Sequence, residues 1–271
     1  MPSTPLEQAR ALVAAARRPV ILTGAGMSAE SGVPTFREAQ TGLWERFSAE
    51  DLATPEAFDD DPALVTEWYR WRERLIRSCT PNAGHEAIAA WQSQRAAAGD
   101  GPGVRVITQN VDDLHERAGT EVLAHLHGSI FAWRCADCEA PAPAEAERDP
   151  DGAAAATTTA DGPATSTSEL PKVRVCAVCG DGLIRPGVVW FGEMLPRPAW
   201  EAAHDALQDC DLVLVIGTSG LVQPAASLPF MATAHGARLI EVNPERTELS
   251  VAADVAVQDT AARVLPLLLA D

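Results

Sequence analysis

Residues 20–37 read V-I-L-T-G-A-G-M-S-A-E-S-G-V-P-T-F-R, and the fold follows from this stretch. Val20–Leu22 is a short apolar run, the mark of a buried strand. Gly24, Ala25 and Gly26 come directly after it. Small residues there let the backbone turn sharply and approach a ligand, with N–H groups free for phosphate oxygens near a helix start. Ser28, Glu30 and Ser31 open that helix, and Gly32 and Pro34 stop it early. Thr35, Phe36 and Arg37 then set an aromatic and a cation side by side on a loop. Gly24-x-Gly26-x-x-Ala29 fits the dinucleotide fingerprint loosely, and a plain glycine turn between strand and helix fits it as well. A nicotinamide dehydrogenase would continue with a longer helix, a second strand and an acidic residue about twenty positions on. The early stop predicts a dinucleotide held in a pocket without that hydride-transfer arrangement.

Working outward, residues 6–18 read as a helix beside the first strand. Trp44 and Phe47 anchor a loop and short helix over 41–58. Pro62–Arg77 is a helix, with Pro62 in its first turn and Leu64, Trp68, Trp71 and Leu75 at helical spacing. Asn82 caps a further helix through Ala98. Strands follow at Val104–Thr108 and Glu121–Leu126, and order resumes at Leu183–Val189. Helix Pro198–Gln208, strand Leu212–Ile216, helix Pro224–His235, strand Arg238–Val242 and helix Ala261–Ala270 complete the chain. Such alternation predicts an α/β fold: a Rossmann-like parallel sheet with helices on both faces, plus a small cysteine-bearing module. A ligand belongs at the strand ends. Those ends carry Thr23-Gly24, Gln109-Asn110, Gly217-Thr218-Ser219 and Asn243-Pro244-Glu245. The expected dinucleotide-binding domain is 1–37, 78–127 and 183–271. Residues 38–77 form the helical part of a small domain, and 128–182 its metal module.

A chain of 271 residues can bury a good core in one or two domains. No apolar run reaches membrane-span length, and the N-terminus lacks a signal-peptide layout, so the protein reads as cytoplasmic. A net charge of −17 repels nucleic-acid backbones and favours basic, lysine-rich protein partners. The chain is taken as a monomer that acts away from membranes. Of six cysteines, four stand as Cys135-x-x-Cys138 and Cys176-x-x-Cys179. In a cytoplasmic chain that pattern is a tetrahedral Zn²⁺ site, closed and therefore structural. The gap between the pairs is long, and 149–168 is rich in Ala, Thr, Asp and Ser. Cys79 and Cys210 read as small core residues. His127, at a strand end before a glycine, is the candidate base, and His125 on the same strand face is its rival. His85, His115, His204 and His235 are expected to cap helices or to lie at the surface.

Together these pieces resemble the sirtuins, the NAD-dependent protein lysine deacylases. The resemblance rests on Gly24-Ala25-Gly26-Met27-Ser28, Gly32 to Arg37, Gln109-Asn110-Val111-Asp112 and Leu126-His127-Gly128. The four cysteines, Gly187 to Glu193, Gly217-Thr218-Ser219 and Asn243 complete it, all in family order. Met27 and Val111 stand where isoleucine is common. The glycine often found before the last helix is absent, with Asp259 nearby, and the adenine-side contact implied by the resemblance falls near Ala261. Tyr69-x-x-Arg72 is similar to the acyl-pocket pair of class III sirtuins, which prefer succinyl- and malonyl-lysine. Residues three apart share a helix face, and a phenol and a guanidinium there can grip one carboxylate. Without the surrounding motifs the pair reads as the flank of an amphipathic helix.

The resemblance implies NAD across the strand ends. Gly24, Ala25, Gly26, Ser28, Thr218 and Ser219 would take its pyrophosphate side, and Asn243, Pro244 and Glu245 the adenosine ribose. Asn110 and Asp112 would fix the nicotinamide end. Glu30, Pro34, Thr35, Trp44, Gln109 and Gly217 would line the same site, Phe36 would shield the sugar carbon, and Arg37 would order the loop. The acylated peptide would add as a strand along Val188, Val189, Trp190, Phe191, Gly192 and Glu193 and along Gly220 and Leu221. Its acyl oxygen would displace nicotinamide, and His127 would take a proton from the ribose hydroxyls. Water would then release free lysine and O-acyl-ADP-ribose. A plain deacetylase and a protein ADP-ribosyltransferase are the neighbouring alternatives.

Overall fold

The apolar run that opens the sequence is strand β1 (Pro19–Thr23), buried along its whole length. A computed structural model describes residues 3–35, 48–99, 101–142 and 173–270. Phe36, Arg37, Trp44, Phe47 and most of the segment between the cysteine pairs lie outside these residues. The chain divides into two units. The first is Met1–Thr35, Cys79–His127 and Leu195–Asp271, and the second is Phe36–Ser78 and Gly128–Met194.

In the first unit β1 is joined by β2 (Arg105–Thr108), β3 (Val122–His125), β6 (Leu212–Ile216), β7 (Arg238–Val242) and β8 (Val255–Val257). All neighbours are parallel, in the order β3-β2-β1-β6-β7-β8. This is the dinucleotide-fold order, with its reversal between β1 and β6. Alternate strand residues feed two cores, as a pleated backbone requires. Ile21, Val106, Leu214 and Ile240 pack with Val13, Ile88, Trp91 and Leu265 from helices Pro5–Ala15, Ala83–Ala98 and Ala261–Leu268. Val20, Leu22, Ile107, Val213 and Leu239 pack on the other face with Ala203, Leu207, Leu228 and Ala232. The latter come from helices Arg197–Gln208 and Leu228–Ala234.

Caps fix the helix boundaries. Thr4 and Glu7 form a capping box on the first helix, and Asn82 caps Ala83–Ala98 as expected. The first helix ends at Ala15, not Arg18, because the Asp211 carboxylate takes the Arg17 and Arg18 N–H groups at 2.8 and 2.9 Å. The expected helix over 224–235 is a 3₁₀ turn, Ala225–Ser227, followed by Leu228–Ala234, whose first turn holds Pro229. A proline there supplies no N–H to continue a preceding helix.

The second unit holds helices Ala49–Leu52, Pro55–Asp60 and Pro62–Ser78, and an antiparallel hairpin of β4 (Gly128–Cys135) and β5 (Ile184–Val188). Residues 183–194 fall in this unit, whereas the sequence reading grouped them with the dinucleotide domain. The reason is pairing: β5 bonds to β4 and takes no place in the parallel sheet. On helix Pro62–Ser78 the buried face carries Val65, Trp68, Tyr69, Arg72, Glu73 and Ile76. The helix therefore turns a polar stripe inward, and Trp71 and Leu75 are only half-buried.

Candidate active site

The turns after β1 and β6 interlock at the order reversal. Gly26 N–H donates to the Gly217 carbonyl at 2.8 Å, and Gly24 N–H to that of Ile216 at 2.9 Å. A Cβ on Gly26 would stand 2.8 Å from Gly217 Cα. Gly217 has φ +60°, and a Cβ there would reach 2.5 Å from the Met27 nitrogen. The glycines are therefore required by one turn packing on the other, a tighter demand than close approach of a ligand. The helix that follows is a single turn, Gly26–Ala29, stopped early as the sequence predicts.

Polar side chains of the strand ends are tied to one another. Asn110 is buried and its Nδ2 donates to Ser28 Oγ at 3.0 Å. Asp112, also buried, accepts the Leu114 N–H at 3.1 Å, and burial holds its carboxyl above the usual carboxylate range. Gln109 Nε2 donates to Thr218 Oγ1 at 3.3 Å, and Asn243 Nδ2 to the Thr218 carbonyl at 2.9 Å. The Asn243 amide oxygen accepts the Glu245 N–H at 3.3 Å. Glu30 accepts the Ala262 N–H at 2.9 Å and so caps the last helix beside Ala261. Ala25, Pro34, Thr35, Ser219 and Gly220 are half-buried in these loops, whereas Pro244, Glu245 and Leu221 are exposed.

The two rival histidines differ in their partners. His127 Nδ1 lies 2.9 Å from the Gln109 carbonyl. A carbonyl only accepts, so Nδ1 carries the hydrogen and Nε2 keeps a lone pair. Burial lowers the His127 pKa, and the carbonyl bond offsets part of that shift. Burial would lower the His125 pKa too, but the Glu116 carboxylate 2.6 Å from its Nε2 outweighs this and the net shift is upward. That shift favours the protonated imidazole, the form that cannot accept a proton.

His85 belongs to the Asn82 capping box, yet it is fully buried, with its pKa lowered to about 4. His115 corrects the expectation of a cap or surface role. It is buried beside His85, its Nε2 sits 3.1 Å from Thr23 Oγ1, and burial lowers its pKa to about 3. His204 is half-buried, and His235 is exposed at a helix C-terminus. Cys79 and Cys210 are buried as expected.

The second unit holds the remaining candidates. Tyr69 is buried, and its oxygen accepts the Trp190 Nε1–H at 3.0 Å. Arg72 is also buried, with Cζ 5.1 Å from the Trp68 ring centroid. Val188 and Trp190 are buried, Val189 and Glu193 half-buried, and Phe191 and Gly192 exposed. The four paired cysteines converge. Cys135 and Cys179 Sγ are 3.7 Å apart and Cys138 and Cys176 Sγ 3.8 Å, with all four sulfurs within 4.8 Å of one another. A tetrahedron with Zn–S bonds of about 2.3 Å has edges of about 3.8 Å, so the donor set fits Zn²⁺. Backbone N–H groups of Asp137, Cys138, Val178 and Gly182 point at three of the sulfurs at 3.3–3.5 Å, the environment that steadies thiolates.

The Sir2 family profile matches residues 24–224. The chain belongs to the Sir2 family. A Pseudomonas aeruginosa protein named NAD-dependent protein deacylase 1 is 48% identical over 258 residues, 95% of this chain and 95% of that one. A Mycolicibacterium paratuberculosis NAD-dependent protein deacylase is 46% identical over 259 residues, 93% of this chain and 96% of its own. Among solved structures, a Sir2 homolog–NAD complex aligns with a TM-score of 0.80 at 40% identity, covering 97% of this chain and 92% of that one. A Sir2–p53 peptide–NAD⁺ complex aligns with a TM-score of 0.74 at 28% identity, covering 96% and 95%.

In this Sir2 chain Arg185 escaped the sequence reading, and Thr23 entered it only as a strand end. Arg185 is buried, pairs with Glu193 at 2.5 Å and lies against the Trp190 ring. A lone arginine in the apolar strand Ile184–Val188 was the available signal. Thr23, whose hydroxyl meets those of Thr108 at 2.8 Å and the His115 ring, gave none beyond its place at a strand end.

Proposed function

We propose that this Sir2 chain removes acyl groups from protein lysines at the expense of NAD, preferring succinyl and malonyl groups and acting on acetyl-lysine more weakly. The observation that carries the deacylase reading is the His127–Gln109 bond, which leaves a basic Nε2 at the carboxyl end of a sheet built for dinucleotides. Bound NAD⁺ supplies a glycosidic bond whose cleavage frees nicotinamide and leaves a ribose carbon open to the acyl oxygen. The strand-end cluster fits such a guest: Asn110, Ser28 and Asp112 are a buried polar group at the order reversal. Asn110 and Asp112 hold the nicotinamide end. The loops at 24–28 and 217–219 take the pyrophosphate side, and those at 243–245 the adenosine. His127 Nε2 takes a ribose hydroxyl proton, and its Nδ1–H bond to Gln109 keeps the ring from turning. Nicotinamide, O-acyl-ADP-ribose and free lysine are the products. Zn²⁺ on the four cysteines would hold the hairpin of the second unit and take no part in bond breaking.

What supports the acidic acyl preference is the burial of Tyr69 and Arg72 on one helix face. A buried phenol and guanidinium can bind one carboxylate, and an acetyl group offers them nothing. The test is mass spectrometry of acetyl-, malonyl- and succinyl-lysine peptides incubated with the protein, with and without NAD. Succinyl and malonyl peptides are expected to lose their groups faster, and only with NAD present. Tyr69→Phe combined with Arg72→Met is expected to reverse the order, and an unchanged preference in that double variant sinks the acidic-acyl reading.

A further inference from the structure

Tyr69 oxygen accepts a hydrogen bond from a group that can do nothing but donate. An indole N–H has no lone pair to offer, whereas a phenol has one hydrogen and can also accept. The Trp190 Nε1–Tyr69 Oη contact at 3.0 Å therefore has one polarity: the indole gives and the phenol takes. Among the described residues Trp190 is the hydrogen-bond partner found at this oxygen, so the phenolic hydrogen is kept for another acceptor. Burial pushes the Tyr69 pKa up, which keeps that hydrogen in place throughout the working pH range.

The indole is itself held. The Arg185 guanidinium carbon stands 3.2 Å from the Trp190 ring centroid. That guanidinium gives two hydrogen bonds to Glu193, at 2.5 and 3.0 Å, and one to the Val188 carbonyl at 3.0 Å. Glu193 in turn accepts the Trp190 backbone N–H at 2.8 Å. Phe58 packs on Trp190 with centroids 5.2 Å apart. A cation over an indole face is bound by the ring's electron density and draws on it, which makes the N–H a stronger donor.

We infer that Trp190, braced by Arg185, aims the Tyr69 hydroxyl hydrogen away from the indole and so makes Tyr69 a dedicated donor to acidic acyl groups. Trp190 is then a specificity-determining residue, and Arg185 a positioning residue acting through it. The inference rests on the acidic-acyl reading of Tyr69 and Arg72.

The test is a double-mutant cycle read as the ratio of kcat/KM for succinyl- over acetyl-lysine peptide. Trp190→Phe keeps a ring against Arg185 and deletes the N–H. It is expected to lower the ratio roughly tenfold, the scale of one hydrogen bond to a charged group, through a raised KM for the succinyl peptide. Tyr69→Phe should lower the ratio at least as far, and Tyr69→Phe with Trp190→Phe no further than Tyr69→Phe alone. Should Trp190→Phe fail to fold, Trp190→benzothienylalanine keeps the bicyclic shape without the N–H and is read in the same way. An unchanged ratio in the Trp190 variant where Tyr69→Phe collapses it overturns this inference and leaves the acidic-acyl reading standing. Fully multiplicative effects of the two substitutions overturn it as well. A wild-type ratio near one that Tyr69→Phe does not move overturns the parent reading, and this inference with it.

Discussion

At the scale of single residues, the choice between two histidines comes down to what each ring nitrogen touches. His127 bonds to a carbonyl and His125 to a carboxylate; burial tips the first toward its neutral form, and the carboxylate tips the second toward its protonated one. His127→Ala is expected to cut kcat by roughly 10²- to 10⁴-fold, the range of a general base, while zinc content and NAD affinity hold. Deacylation near wild-type rate in that variant would remove His127 from the chemistry. The pH profile adds a sign. Burial lowers this pKa below the ordinary histidine value of about 6.5, so the working neutral form persists as pH falls through that value. The acidic limb of kcat/KM should thus lie below pH ~6.5, and a limb centred above neutrality would contradict the assignment. The sequence singles out His127 over His125 by its place at a strand end before a glycine, but does not show what either ring touches. Those partners are Gln109 and Glu116, and their reach is set by tertiary placement that spacing does not encode.

At the scale of elements, the parallel strands β1, β2, β6 and β7 were legible because each is a short apolar run buried over nearly its whole length. β8 was not, being three residues long, Val255–Val257, with the pattern of an ordinary loop. β4 was missed because its register slips between Ser129 and Trp133, which breaks the alternation that marks a half-buried strand. The cysteine cluster was legible because the chemistry of the donors restricts the spacing. β4 ends in Cys135, and Cys176 and Cys179 precede β5, so the sulfurs clamp the open end of the hairpin. A Cβ on Gly182 would meet Cys135 Sγ at 2.4 Å, which leaves little slack there. The expected metal content is one Zn²⁺ per chain. Cys179→Ser should lose it and become susceptible to protease within 128–194, as judged by metal analysis and fragment mapping. Full zinc retention in that variant would refute a four-thiolate site.

At the scale of the whole molecule, a net charge of −17 acts on partners before any contact forms. Its field should draw acylated peptides flanked by lysine and arginine and repel those flanked by aspartate and glutamate. Raising ionic strength from roughly 0.01 M to roughly 1 M shortens the screening length from about 30 to about 3 Å. The KM for a basic peptide is expected to rise across that range while that for a neutral peptide moves little. Equal responses of the two would mean that the charge has no part in selection. The charge was plain in the sequence, whereas the buried arginines and their neighbours were not. Composition counts charges without saying which of them face water.

The strand order of the parallel sheet also has a consequence in time. β1 lies between β2 and β6, and β6 arrives about 190 residues after β1 leaves the ribosome. At roughly 5–20 residues per second, the first strand waits on the order of ten to forty seconds for its second edge. During synthesis its outer row of amides has no native neighbour, and its Val-Ile-Leu core is the kind of surface that chaperones shield and that aggregates when crowded. The glycine turn at 24–26 is likewise without its counterpart at 217 until that moment, so the nucleotide end of the sheet is among the last parts of the nascent chain to take shape.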